Sequence, residues 1–207
     1  MQRQGESSSK VTLVAVGDLM PNRDEPETIL ELTAPALKNY DIRFGHLEIN
    51  LSERGSRCSA SRAPARAHPR NIRALKVAGF DVVSFASNHC LDWGAEAMFD
   101  TIDLCRNEGI EVVGAGKDIA EARKPVILER KGVRVAFLAY NSILPIGYWA
   151  DVGKPGCAPL RVRTLYEMIE PDQPGCPPRI LTYPYEEDLA AMLEDIGKAK
   201  SMADVVV

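Results

Sequence analysis

The chain has 207 residues, of which 45% are apolar and 26% charged, close to the averages of soluble globular proteins. That composition excludes a disordered, collagen-like or coiled-coil chain, and a chain of this size buries roughly 70% of its unfolded surface without disulfides or a structural metal. Lys and Arg number 25 against 29 Asp and Glu, a net charge of −4, so the chain as a whole has no electrostatic reason to seek nucleic acid and any polyanion site must be local.

Cys58, Cys90, Cys105, Cys157 and Cys176 are odd in number and form no CxxC pair. They indicate neither a zinc ribbon nor a complete disulfide framework, and favour a reducing compartment. Residues 1–10 read as a disordered lead-in, with the domain expected over 11–207. The first apolar run, Val11 to Val16, is too short for a bilayer span or a signal-peptide core, so the sequence by itself is read as cytoplasmic with no membrane span.

In chain order, Val11 to Val16 reads as a buried strand stopped by Gly17, which delivers Asp18 to a loop. Glu27 to Lys38 carries apolar residues at helical spacing but contains Pro35, which breaks or restarts a helix. Ile42 to Leu47 is a second strand, followed by Glu48. From Arg54 to Arg73 there are six arginines and no acid, a basic loop running into a helix over Pro69 to Ala78 that Gly79 stops. Asp81 to Ala86 is a third strand, ending at Ser87-Asn88-His89.

Gly94 to Asn107 forms an amphipathic helix with Ala97, Met98, Ile102 and Cys105 on its apolar side. Ile110 to Val113 is a short strand and Asp118 to Arg123 a helical turn. Val126 to Glu129 and Val133 to Tyr140 flank Lys131-Gly132, the composition of a tight antiparallel hairpin. The segment 141–184 holds eight of the 14 prolines and reads as a long proline-rich loop. Tyr185 to Ala199 is a helix, and the sequence ends inside an apolar strand, Asp204 to Val207. The alternation predicts an α/β fold with mixed strand directions.

Ligand sites in open α/β sheets form where strands end. Three strands here end in Gly17-Asp18, His46-Leu47-Glu48 and Ser87 to Asp92. Divalent cations such as Mn²⁺, Mg²⁺ or Zn²⁺ take carboxylate, amide and imidazole donors, so Asp18, Glu48, Asn88 and His89 form a chemically sensible partial shell, with Asp92 placed to orient the His89 ring. The bland readings differ by residue. Gly114-x-Gly116 is a turn rather than a dinucleotide fingerprint, since no third glycine or ribose-binding acid is placed. Cys90 reads as a buried small hydrophobe, Trp93 as loop packing and His68 as a solvated histidine, while His46 is either a ligand or a packed histidine.

Several of these segments resemble one family. Gly17-Asp18-Leu19-Met20, Leu47-Glu48, Ala78 to Val83 leading into Asn88-His89, and Leu91-Asp92-Trp93-Gly94 resemble the CapA family of poly-γ-glutamate capsule biosynthesis proteins. So do Gly109-Ile110, Gly114-Ala115-Gly116, Ala122 to Pro125 and Val133 to Tyr140, across about residues 11–207. The resemblance implies a calcineurin-like metallophosphatase fold, a mixed-sheet α/β sandwich, with Asp18, Glu48 and Asn88 as metal ligands and His89, oriented by Asp92, as the acid or phosphate contact. Arg62, in Ser61-Arg62-Ala63-Pro64, resembles the family's Arg-x-Pro segment and would clamp an anionic group.

Two departures stand out. His46 occupies a position where the family usually has Asn, and is assigned to substrate binding. The family's His-Trp-Gly and Gly-His-x-His segments, which complete its metal site, have no counterpart up to Val207, so the fold is expected to be incomplete at its C-terminus. The resemblance implies a metal-dependent hydrolase acting on an anionic polymer or a phosphorylated substrate, alongside other capsule-synthesis proteins. A non-catalytic accessory role in poly-γ-glutamate synthesis or export is the alternative. Family members are often membrane-anchored and face outward.

Overall fold

The computed structural model describes residues 10–173 and 175–207; the expected lead-in over 1–10 falls almost wholly outside them. Four strands build the first sheet: β1 (Leu13–Leu19), β2 (Ile42–Leu47), β3 (Val82–Ser84) and β4 (Glu111–Val113). They lie side by side in that order and all run parallel, so their carboxyl ends share one edge of the sheet. β1 is paired on one side only and is half-exposed along its length, not the buried strand its apolar sequence predicts. It also runs on through Gly17 and Asp18, with a register shift between Ala15 and Asp18 that sets Asp18 opposite His46. Asp18 therefore sits on a strand rather than in a loop.

Alternation along the strands gives this sheet two buried faces. On β3, Val83 points to one side and Val82 to the other; on β4, Val112 and Val113 divide in the same way. The first face packs on helices α1 (Ile72–Ala78) and α2 (Gly94–Asn107) through Leu47, Leu75, Phe85, Met98 and Ile102. α1 stops where Gly79 turns left-handed at φ 78° and its N–H reaches Leu75 O and Lys76 O. α2 buries Ala97, Met98, Thr101, Ile102 and Cys105, a stripe with helical period. Full burial of a side chain such as Leu75 or Met98 contributes about 1.5–3 kcal/mol.

The second face meets another sheet. β5 (Val126–Arg130) and β6 (Val133–Phe137) pair antiparallel around Lys131-Gly132, both at positive φ, the turn that this dipeptide predicts. Val135 and Phe137 close on Ile42, Val82 and Val113, and the Phe137 ring stacks on Phe44 at 5.5 Å.

Segment 141–184 is not the uninterrupted loop its prolines predict. β7 (Val162–Glu167) and β8 (Arg179–Pro184) pair over six positions as an antiparallel ribbon. α3 (Glu186–Met202) then crosses the outer face of the second sheet, its Ala199 and the Ala203 that follows it packing on Ala136, and β9 (Val205–Val206) adds to β6 in parallel. The result is helices, parallel sheet, mixed sheet, helix: an α/β sandwich. The stretch Glu27 to Lys38 is broken as Pro35 requires, into a 3₁₀ turn at Pro26–Thr28 and one helical turn at Ala34–Leu37. Among the described residues no helix is long and apolar enough to cross a membrane.

Candidate functional site

The shared carboxyl edge of β1, β2 and β3 gathers the polar residues. Glu48 follows β2 directly and its N–H donates to Leu19 O at 3.0 Å, pinning it beside the end of β1. Beyond β3 the chain turns tightly: the His89 N–H donates to Ser87 Oγ at 3.0 Å and the Cys90 N–H to Ser87 O at 3.1 Å. This turn holds Asn88 and His89 half-buried above the sheet. The side chain of the fully buried Asn50 ties the turn to the Glu48 segment by donating to Cys90 O at 3.0 Å.

His89 is oriented from behind. Its Nδ1 lies 2.6 Å from Asp92 Oδ2, and its Nε2 lies 3.8 Å from Glu48 Oε1. Asp92 is buried, yet its carboxylate also accepts the Ala65 N–H at 2.7 Å and the Tyr148 hydroxyl at 3.0 Å. A buried carboxylate with three such donors has its charge compensated. It keeps the His89 proton on Nδ1 and leaves Nε2 facing the acids. Burial, with Cys58 and Asp92 adjacent, pushes the Tyr148 hydroxyl far above its ordinary range, so it remains a donor.

The acids face each other. Burial and the Asp18 charge, together with a hydrogen bond to Asp18, raise the Glu48 carboxyl above its ordinary value, while His89 opposes them. His46 is half-buried, with Nδ1 3.3 Å from Ser84 Oγ. Burial lowers its pKa, Asp18 opposes and His89 adds to the fall, which leaves a neutral imidazole at pH 7. Asp18, His46, Glu48, His89 and Asp92 thus form one connected group.

Arg62 and Asn88 are not in that chain of contacts. They line, with His89, an adjoining cavity of about 700 Å³ whose other wall is Ile143 to Ile146. Arg62 is exposed and makes no ion pair among the described residues. Its neighbours in the basic segment are mostly neutralised by acids distant in sequence: Arg54 by Asp100, Arg70 by Asp24 and Arg73 by Glu27, while Arg66 stacks 3.6 Å above Trp93.

Among the described residues no three His, Cys, Asp or Glu side chains are arranged to hold a metal ion. The donor chemistry at Asp18 and Glu48 nonetheless suits a cation. Asp18 lies close enough for its charge to raise the Glu48 pKa, so the pair carries negative charge that a divalent ion would neutralise, and the Asn88 amide supplies an oxygen of the same hard character. Cys90 is fully buried and burial pushes its thiol well up, as expected of a packing residue rather than a nucleophile. Tyr148, Ser84 and Asn50 are site residues that the sequence does not announce. The first lies in the proline-rich segment, and the other two carry no motif.

Fold and site together define an α/β sandwich that presents acids, an amide and an oriented histidine at the carboxyl edge of a parallel sheet. The chain belongs to the family described as bacterial capsule synthesis protein PGA_cap, which matches residues 12–207. It is 29% identical over 173 residues to the capsule biosynthesis protein CapA of Bacillus anthracis, covering 78% of this chain and 42% of that protein. It is 24% identical over 164 residues to the PGA biosynthesis protein CapA of Bacillus subtilis, covering 74% and 43%. A Mycobacterium tuberculosis protein named as a probable polyglutamine synthesis accessory protein is 30% identical over 136 residues, covering 64% and 34%. The chain thus spans less than half the length of these curated relatives.

Proposed function

We propose that this chain serves poly-γ-glutamate capsule synthesis alongside other capsule-synthesis proteins, and that its site hydrolyses an anionic polymer or a phosphoester with a divalent cation (Mn²⁺, Mg²⁺ or Zn²⁺) bound. Support for the pathway comes from the family and from the names of its relatives. Support for the chemistry comes from one observation above all: His89 is tied through Nδ1 to buried Asp92 while its Nε2 faces Glu48, at the edge of a cavity that Arg62 also lines.

Asp18, Glu48 and Asn88 would hold the cation. Lewis-acid polarisation of a phosphoryl or carbonyl oxygen is the chemistry such an ion supplies when bound. The remaining work falls to side chains. Arg62 pairs with an anionic group of the substrate through its planar guanidinium. Hydrolysis forms a bond from a water oxygen to phosphorus and breaks the bond to the leaving oxygen; the His89 imidazolium, stabilised by Asp92, delivers its Nε2 proton to that oxygen, and the proton the water loses returns to Nε2. His46, kept neutral by its burial, offers the substrate a hydrogen bond.

A second reading, a non-catalytic accessory domain that holds glutamate carboxylates in the same cleft, is favoured by the lack of a three-residue metal cluster among the described residues and by the name of the mycobacterial relative. Hydrolysis of p-nitrophenyl phosphate separates the two. Manganese-dependent turnover abolished by Asp18→Ala supports the enzyme; metal-independent binding of polyglutamate without turnover supports the accessory role.

A further inference from the structure

The Ile143 to Ile146 part of the cavity lining is the least explained surface near the site. Ile143, Leu144, Pro145 and Ile146 are four consecutive apolar residues, and Ile143 and Ile146 are 79% and 85% exposed. Such side chains normally turn inward or lie scattered; a contiguous apolar patch at the rim of a site marks a surface that binds something apolar. The segment is also fixed in place. Before it, the Asn141 side chain donates to Ala86 O at 2.6 Å and its Oδ1 accepts the Ile143 N–H at 2.7 Å. After it, buried Tyr148 donates to Asp92 at 3.0 Å. Tyr148, which holds the Asp92 carboxylate that orients His89, and the apolar wall therefore belong to one anchored segment.

The other wall offers a single cation, Arg62, beside the Asn88 amide and His89. A polymer bearing a carboxylate on every residue would lay charge against the isoleucines and lose its hydration there. A molecule with one anionic end and a saturated hydrocarbon body satisfies both walls. We propose that the substrate of this site is an amphiphile of that kind, an aliphatic monophosphate ester whose phosphate lies at Arg62, Asn88 and His89 and whose chain lies along Ile143 to Ile146. This rests on the phosphoester reading above and narrows it.

The test is a series of short n-alkyl phosphates, methyl to hexyl, used below their micelle concentrations with the Mn²⁺-supplemented protein. kcat/KM rises about three- to four-fold for each methylene that reaches the wall. Ile143→Ser and Ile146→Ser, exposed enough to leave folding intact, flatten that slope, read as the hexyl-to-methyl ratio within each variant. Turnover that is independent of chain length, or a slope unchanged in both variants, overturns the amphiphile while leaving the phosphoester reading standing. If no ester is hydrolysed, the phosphoester reading fails, and direct titration decides the site: hexyl phosphate binding at least ten-fold tighter than methyl phosphate, and losing that margin in the serine variants, sustains it. Equal affinities overturn it.

Discussion

His89 Nδ1 stands 2.6 Å from Asp92 Oδ2, three residues along the same turn, and that contact decides which ring nitrogen faces the site. Asp92→Asn replaces the carboxylate by an amide that does not stabilise an imidazolium. Turnover is expected to fall about 10–100-fold with little change in KM, and the alkaline limb of the pH–rate profile, where the His89 imidazolium loses its proton, to move to lower pH. Tyr148→Phe removes one donor to Asp92 and is expected to cost about 0.5–1.5 kcal/mol of stability, with a smaller loss of rate. Steady-state kinetics and urea melts of both variants check this.

Gly114 connects β4 to the site side of the molecule at φ 87°, where a Cβ would lie 2.8 Å from the Cβ atoms of both Ala86 and Ala139. Ala86 precedes the Ser87 to His89 turn, so the close approach at Gly114 holds that turn against Ala139 in the segment just after β6. Gly114→Ala combines a disfavoured backbone conformation with overpacking and is expected to cost about 2 kcal/mol or more. For a domain of this size the melting temperature should fall by about 4–8 °C, measurable by calorimetry.

Asp188 at the start of α3 is buried, and burial opposes its ionisation. The Arg161 guanidinium and backbone N–H override that and hold its carboxyl below the ordinary value. A depressed folded-state pKa adds stability that is fully present above the unfolded value of about 3.9 and is lost as pH falls through the folded pKa. Asp188→Asn should therefore destabilise the protein near neutral pH but make little difference in strong acid. Denaturant midpoints of wild type and variant measured from pH 7 downward should converge below about pH 4.

Thiol reactivity should follow burial. Cys176 is exposed and Cys58 half-buried, whereas Cys90, Cys105 and Cys157 are buried, with Cys105 pushed up to about 12 by burial. A maleimide applied to the folded protein should label Cys176 first and Cys58 slowly. The other three should react only in denaturant, as peptide mass mapping would read.

The elements legible in the sequence are those specified locally. β2 and α2 have the expected bounds because their apolar period and terminal signals, such as Gly109 after Asn107, are self-contained. The ribbon β7–β8 was not legible. It is largely exposed on both faces, so burial leaves no pattern on its sequence, and the prolines between its strands mask the pairing. The basic stretch misleads for a related reason: the partners of Arg54, Arg70 and Arg73 each lie 46 residues away. At the site, Glu48 and His89 follow strand ends as the sequence predicts, while Asp18 lies within the end of β1 rather than in a loop beyond it. Tyr148 does not, because its link to Asp92 spans 56 residues and exists only after folding.

The most direct measurement is Mn²⁺ uptake by the purified protein, followed by titration calorimetry and by the loss of the free-ion paramagnetic resonance signal. Saturable binding that Asp18→Asn and Glu48→Gln each weaken at least ten-fold, with the fold preserved by circular dichroism, is the expected result. Equal uptake by all three proteins, or none by any, would contradict a cation held between those two acids.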